Sequence, residues 1–299
     1  MNRWLFAAFF SLMNVFSDTS VVAEDLGDKS TILIQNVNIF DGRSEELISD
    51  MSVLVKGNKV AKIAASIPAS SGTTVIDGGG RTLTPGFIDA HTHLQWNLGV
   101  AQQFYAPLDY QAALTTVEAK NTLMRGFTTV RDVGGSVFGV KRAIDEGYFP
   151  GPRIYTSGAA ISMTTGHGDF RAPSTLPRMM GGPPETEAEH VGLVIFADGV
   201  PEVLTASRIQ FRKGAHFLKM FVGGAVSGMY DPLDIAEYSP EELTAAVGEA
   251  ERWNTYVAVH TYTDESTRMA IEAGVKTLEH ANLITEETVK LAADRGVFI

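Results

Sequence analysis

The sequence predicts an α/β fold: a (β/α)8 barrel of the TIM type, truncated in its seventh strand, behind a small N-terminal β-sandwich domain. Three observations lead there. Apolar strand-like runs alternate with helical stretches from Leu83 onward, short β-branched runs divided by turns fill the chain before it, and His or Lys marks several of the later strands.

Composition sets the outer bounds. With 299 residues, 44% of them hydrophobic, the chain has ample material for a core. Acidic side chains outnumber basic ones 35 to 24, for a net charge of −11, and no stretch concentrates Lys or Arg into a face that a phosphate backbone requires. Nucleic acid is thereby disfavoured as a partner. The absence of cysteine rules out thiolate zinc sites and catalytic thiols, so any metal must be held by His, carboxylate or another oxygen donor.

Residues 1–23 read as an export signal. Arg3 precedes an apolar run from Trp4 to Phe16, broken by Ser11 and Asn14, and Val21-Val22-Ala23 offers a small-residue exit before Glu24. The run is short for a membrane span. Cleavage after Ala23 is expected, giving a periplasmic or secreted mature chain with no membrane contact; a buried helix is the alternative.

Residues 24–82 form the expected β domain. Its strands are Thr31 to Phe40, Ser52 to Lys56, Lys59 to Ile63 and Thr73 to Asp77, with turns at Asp41-Gly42, Gly57-Asn58 and Gly78-Gly79-Gly80. Residues 83–299 form the barrel domain. Its strands are expected at Gly86 to His91, Phe127 to Asp132, Arg153 to Ser157, His216 to Val222, Tyr256 to Thr261, Thr277 to Glu279 and Gly296 to Ile299. Helices are expected over about Gln111 to Arg125, Gly139 to Glu146, Pro201 to Lys213, Asp264 to Ala273 and Glu286 to Asp294. The best marked begins at Ser239-Pro240-Glu241-Glu242, a capping box with proline at the first helical position, and runs to Arg252. Thr164 to Gly199 is Gly- and Pro-rich and poorly periodic, as expected of a loop that covers a site. The stretch from Gly86 is shorter than the roughly 250 residues typical of such barrels. An open doubly wound sheet is the alternative, but no G-x-G-x-x-G fingerprint follows the first strand.

The chemistry concentrates where strands end. In Thr84-Pro-Gly-Phe-Ile-Asp-Ala-His-Thr-His-Leu94, His91 and His93 are two residues apart and point the same way if the strand pleat continues. His260 closes Val257-Ala-Val-His260 and His280 closes Thr277-Leu-Glu-His280. Lys219 interrupts the apolar run Phe217-Leu-Lys-Met-Phe221, where an unpaired ammonium is costly. Such a lysine pairs with a carboxylate, snorkels to the rim, or stays neutral and takes up CO2 as a carbamate able to bridge two metal ions.

Together, Pro85-Gly-Phe-Ile-Asp-Ala-His-Thr-His93, Lys219, His260 and His280 resemble the amidohydrolase superfamily, and the resemblance spans Thr31 to Ile299. It implies two divalent metal ions, zinc by default. His91 and His93 would bind one and His260 and His280 the other, with a carboxylated Lys219 bridging both. Two cations sharing a water lower its pKa toward neutrality, which makes a bridging hydroxide available to attack a carbonyl that one ion polarises. The implied reaction is hydrolysis of a C–N bond in a small amide or dipeptide-like substrate. The family's proton-transferring aspartate ends strand eight, which the sequence does not contain, so the catalytic acid/base is unassigned. An inactive fragment or binding protein is therefore a rival reading, and a phosphotriesterase-like hydrolase on the same ligands is another.

Thr164-Thr-Gly-His-Gly-Asp169 and Phe221-Val-Gly-Gly-Ala-Val-Ser-Gly-Met-Tyr230 resemble the imidazolonepropionase-like branch, with its Xaa-Pro dipeptidases, Lys/Arg carboxypeptidases and ochratoxin amidases. That likeness turns His167 and Tyr230 toward the substrate; a solvated loop histidine is the alternative for His167. His190 and His216 are expected outside the site, Asp89 as an orienting or capping group, Asp132 and Asp264 as helix caps, and Glu279 as structural, on the strand face opposite His280. No exposed heptad or separate apolar helix face specifies an oligomer.

Overall fold

The computed structural model describes residues 30–176 and 178–299, so the expected export signal lies outside the described residues. The chain divides into two compact units, one ending at Pro85 and one running from Gly86 to Ile299.

In the first unit, β1 (Thr31–Ile39), β2 (Ile48–Lys56), β3 (Lys59–Ala64) and β4 (Thr74–Leu83) form one mixed sheet in the order β3-β2-β1-β4. The strand β1 is antiparallel to β2 and parallel to β4. Buried Val37, Ile39 and Val53 pack with Ile34, Met51, Val55 and Leu83. The glycines Gly78 to Gly80 do not end the last strand as a turn: β4 continues through them to Leu83, and a register shift between Gln35 and Val37 absorbs the irregularity. Among the described residues the unit is this single sheet, without the second layer of a sandwich.

The second unit is built of parallel βα units. A three-stranded sheet runs β5 (Phe87–Thr92), β6 (Phe127–Asp132), β7 (Arg153–Thr156). A five-stranded sheet has the order β12-β11-β10-β8-β9, from β8 (Ala160–Ser162), β9 (Val194–Phe196), β10 (Leu218–Phe221), β11 (Val257–Thr263) and β12 (Thr277–Leu283). Eight helices accompany them among the described residues: α1 (Val100–Tyr105), α2 (Leu108–Met124), α3 (Phe138–Asp145), α4 (Glu187–His190), α5 (Val200–Lys213), α6 (Pro240–Arg252), α7 (Asp264–Ala273) and α8 (Glu286–Asp294). None is long and apolar enough to cross a membrane.

The two sheets correct the expectation of one continuous barrel wall. The third strand is broken between β7, which pairs with β6, and β8, which pairs with β10. At the break Gly158 takes φ 71°, and a Cβ there would meet Gln210 Oε1 at 2.4 Å and the Phe138 ring at 2.6 Å. Gln210 compensates for the lost ladder by accepting from Ala159 N at 3.1 Å. The short β9 lies inside the stretch expected to be loop, since three residues are too few for a periodic signal. The expected seventh strand is reduced to one parallel bridge, Thr277 to Phe298, and no pairing among the described residues joins β5 to β12.

The main core lies between the five-stranded sheet and its helices. Leu218, Met220, Val257, Val259 and Leu278 face Val203, Ala206, Leu243, Ala246, Val247, Ala250, Ala270 and Ile271. Helix α6 shows why: Leu243, Ala246, Val247 and Ala250 fall on one stripe, and both halves of its capping box form, with Glu242 Oε2 accepting from Ser239 N at 2.9 Å. Because Leu218, Met220, Val257 and Val259 look outward, the pleat turns Phe217, Lys219, Ala258 and His260 inward.

Candidate metal centre

Inside the second unit Phe217, Ala258 and Val133 form a small apolar layer. Two residues further along each strand, on the same face, come Lys219 on β10 and His260 on β11. Lys219 is 1% exposed and forms no ion pair with any described carboxylate. It neither snorkels nor pairs. Burial pulls its amine from 10.5 to about 7, against the opposing pull of Glu279.

Four imidazoles converge around this lysine. Ring centres stand 5.3 Å apart for His91 and His93, 4.9 Å for His91 and His280, and 4.8 Å for His260 and His280. His167 joins them, stacked on His260 at 4.5 Å. It is a largely covered member of the cluster, its side chain 12% exposed, rather than a solvated loop histidine, with Nδ1 3.3 Å from Asp231 Oδ2. Burial, reinforced by neighbouring positive groups, pushes His93 down to about 3 and His280 to about 4, and holds His260 far below the usual imidazole range. The rings of His93, His260 and His280 are therefore neutral at ordinary pH, as a metal ligand must be.

Tyr230 is not brought into the cluster by any hydrogen bond: its hydroxyl donates to the Arg171 carbonyl at 2.5 Å. His190 pairs with Glu185 on the surface, and His216 sits at the far end of β10, where its Nδ1 accepts from Thr156 N at 3.3 Å. Asp89 caps the His91 N–H at 3.0 Å. Asp264 is not the expected helix cap: Thr263 holds the N-cap position of α7, while Asp264, in the first turn, accepts from Thr285 N at 2.9 Å and so ties α7 to the start of α8.

Two further carboxylates also depart from their expected roles. Asp132 is not a helix cap; fully buried, it accepts from Leu94 N at 2.8 Å and so holds the loop that carries His93, while burial pushes its carboxyl up to about 7. Glu279 is not on the outer face. With Leu278 in the outer core, the pleat turns Glu279 inward, where its Oε2 lies 2.7 Å from His91 Nδ1. Burial works against its charge, but His91, Lys219 and Arg131 more than compensate and hold the carboxyl at about 2. The ring of His280 reaches the same interior because His280 and Ala281 leave strand geometry, with φ 73° and 48°. The outward-facing Leu278 was the available signal.

Among the described residues no three His, Asp or Glu side chains stand around a common point ready to hold an ion. The donor chemistry nevertheless fits a metal pair. Two imidazoles bound to one tetrahedral ion at about 2.1 Å have ring centres roughly 5 Å apart, the interval seen in both pairs. His91 and His93 have Nδ1 engaged, by Glu279 and by the Gly134 carbonyl, which leaves Nε2 free. His260 Nε2 is buried without any hydrogen-bond partner.

A cluster of imidazoles about a buried lysine, at the ends of parallel strands, defines a candidate metal-dependent α/β hydrolase centre. The chain belongs to the amidohydrolase family, whose sequence profile matches residues 82–299. It is 36% identical to the ochratoxinase of Aspergillus niger over 231 residues, which are 72% of this chain and 46% of that protein. Among solved structures it resembles a prolidase complexed with N-methylphosphonate-L-proline (TM-score 0.82, 33% identity, 90% of this chain and 65% of that one). A Xaa-Pro dipeptidase with bound methionine is similar too (TM-score 0.76, 30% identity, 90% and 66%). The chain thus spans about half the length of the curated ochratoxinase and about two thirds of these solved chains.

Proposed function

We propose that this chain carries the metal-binding part of a hydrolase that cleaves C–N bonds in small amides or dipeptides. The convergence of His91, His93, His260 and His280 on buried Lys219 carries the reading. Its likeness to ochratoxinase, prolidase and Xaa-Pro dipeptidase supports the substrate class.

His91 and His93 would hold one divalent ion and His260 and His280 a second, with zinc favoured by imidazole and oxygen donors. Bound there, the ions would supply an ionised water and polarise the scissile carbonyl. Lys219 supplies the shared ligand: its neutral amine adds to CO2, a C–N bond forms, and one proton leaves to solvent. The resulting carbamate presents two oxygens. An amine held near 7 supports this, since a protonated one has no lone pair to offer. His167, stacked on His260, is read as facing the substrate. Tyr230 would reach the substrate only by giving up the Arg171 carbonyl.

We read residues 24–82 as part of a β-sandwich, residues 83–299 as part of a (β/α)8 barrel, and the Arg3-led apolar run as directing export. Metal analysis of the full chain tests the centre. Two equivalents of divalent ion, lost in Lys219→Ala, are expected, together with hydrolysis of a dipeptide or N-acyl amino acid in a panel that also contains phosphotriesters. A metal-free protein, or full hydrolysis by Lys219→Ala, would sink the proposal.

A further inference from the structure

Glu279 is a buried carboxylate to which the proposed function gives no task. It is 5% exposed, and its oxygens divide their bonds. Oε2 meets His91 Nδ1 at 2.7 Å, while Oε1 accepts from Arg131 Nη2 at 2.5 Å and from Thr277 Oγ1 at 2.8 Å. Arg131 donates further, from Nε to the Ala90 carbonyl at 2.6 Å and from Nη1 to Thr277 Oγ1 at 3.0 Å, with its guanidinium 5.5 Å from the centre of the Phe217 ring. One guanidinium on β6 therefore grips β5 beside His91 and β12 at Glu279, although those strands belong to different sheets.

We propose that Glu279, clamped by Arg131, is a positioning residue that accepts the Nδ1–H of His91 and fixes the ring in the tautomer whose free nitrogen is Nε2. A carboxylate can only accept, so the shared proton belongs to His91 Nδ1. A free imidazole side chain prefers its proton on Nε2, which would leave Nδ1 as the ligating atom, aimed into the protein beside Glu279. The carboxylate reverses that preference before any ion arrives and makes Nε2 more basic. Arg131 keeps Glu279 from swinging away, because each of its three nitrogens donates to an acceptor on β5 or β12. The inference rests on the proposed metal centre, but the tautomer can be read without metal.

The test uses the full chain, stripped of metal and labelled with 15N-histidine, with His91→Ala assigning the ring. Long-range proton–nitrogen spectra are expected to show His91 protonated on Nδ1. In Glu279→Leu paired with Arg131→Met, which leaves no unpaired charge, the ring should change to the Nε2–H form, and zinc affinity in a competition titration should fall by about 10- to 100-fold. Glu279→Gln, the gentler variant, keeps a neutral acceptor, so the Nδ1–H should remain but its proton resonance should move upfield. A wild-type ring protonated on Nε2, an unchanged tautomer in the double variant, or an unmoved resonance in Glu279→Gln would overturn the inference. A wild type that shows the Nδ1–H form yet binds no metal would instead overturn the proposed function and leave Glu279 as the group that orients His91.

Discussion

His93 Nδ1 lies 3.0 Å from the carbonyl oxygen of Gly134. The bond joins the first strand's metal-ligand candidate to the loop after the second, and it makes Nδ1 the donor and Nε2 the free nitrogen. The approach is close: a Cβ at Gly134 would stand 3.3 Å from two ring atoms, so the ring would have to give way.

Gly134→Ala is therefore expected to displace His93 and lower metal affinity by roughly 10-fold or more. A competition titration with a chromophoric chelator measures it. An affinity equal to wild type would mean that the ring's setting does not matter for binding.

Lys219 predicts a pH-dependent stability in the metal-free protein. Its amine titrates near 7 folded and near 10.5 unfolded, so between those values the unfolded chain carries the extra proton. Stability then rises with pH across that window, and the cost of burying the amine is greatest below pH 7. Lys219→Met should be the more stable protein below pH 7, by at most about 5 kcal/mol, with the gap closing toward pH 10.5. Urea unfolding at several pH values checks this; a gap that does not change with pH contradicts it.

Glu237 predicts the opposite slope. It is buried in the loop after β10, its Oε1 accepts from His167 N at 2.7 Å, and its Oε2 has no partner. Burial pushes the carboxyl from 4.5 to about 8. A raised acid contributes stability that is complete below pH 4.5 and lost as pH climbs through 8. Glu237→Gln should match wild type in acid and exceed it above pH 8 by a few kcal/mol. Thermal melts of both proteins at pH 5 and pH 9 provide the comparison, and parallel behaviour would refute the assignment.

Two substitutions probe α6 far from the imidazoles. Ser239→Ala removes a cap and should cost about 1 kcal/mol. Leu243→Ala empties a fully buried position and should cost about 2–5 kcal/mol in chemical denaturation. A smaller loss for Leu243 than for Ser239 would mean that the core does not close on α6 as described.

Much of this was legible in the chain itself. Helices α7 and α8 begin and end at the expected residues, as does β6, because each carries a clear period or cap. His91, His93, Lys219, His260 and His280 stood out because each is a polar residue in or at the end of an apolar strand. What escaped was short or displaced from its partner in sequence: β9 has three residues, Asp132 serves a loop 38 residues earlier, and Glu279 serves a ring 188 residues away.

The sequence by itself determined which residues alternate along each strand and which segments coil into helices, since pleat and helical period are local properties of the backbone. Only the tertiary structure decided which side of β12 faces inward. Leu278 is drawn outward by the apolar faces of the covering helices, which sends Glu279 to the interior, and the left-handed backbone at His280 then returns that ring to its neighbours. A pleat specifies sides relative to each other, whereas burial against distant elements chooses between them.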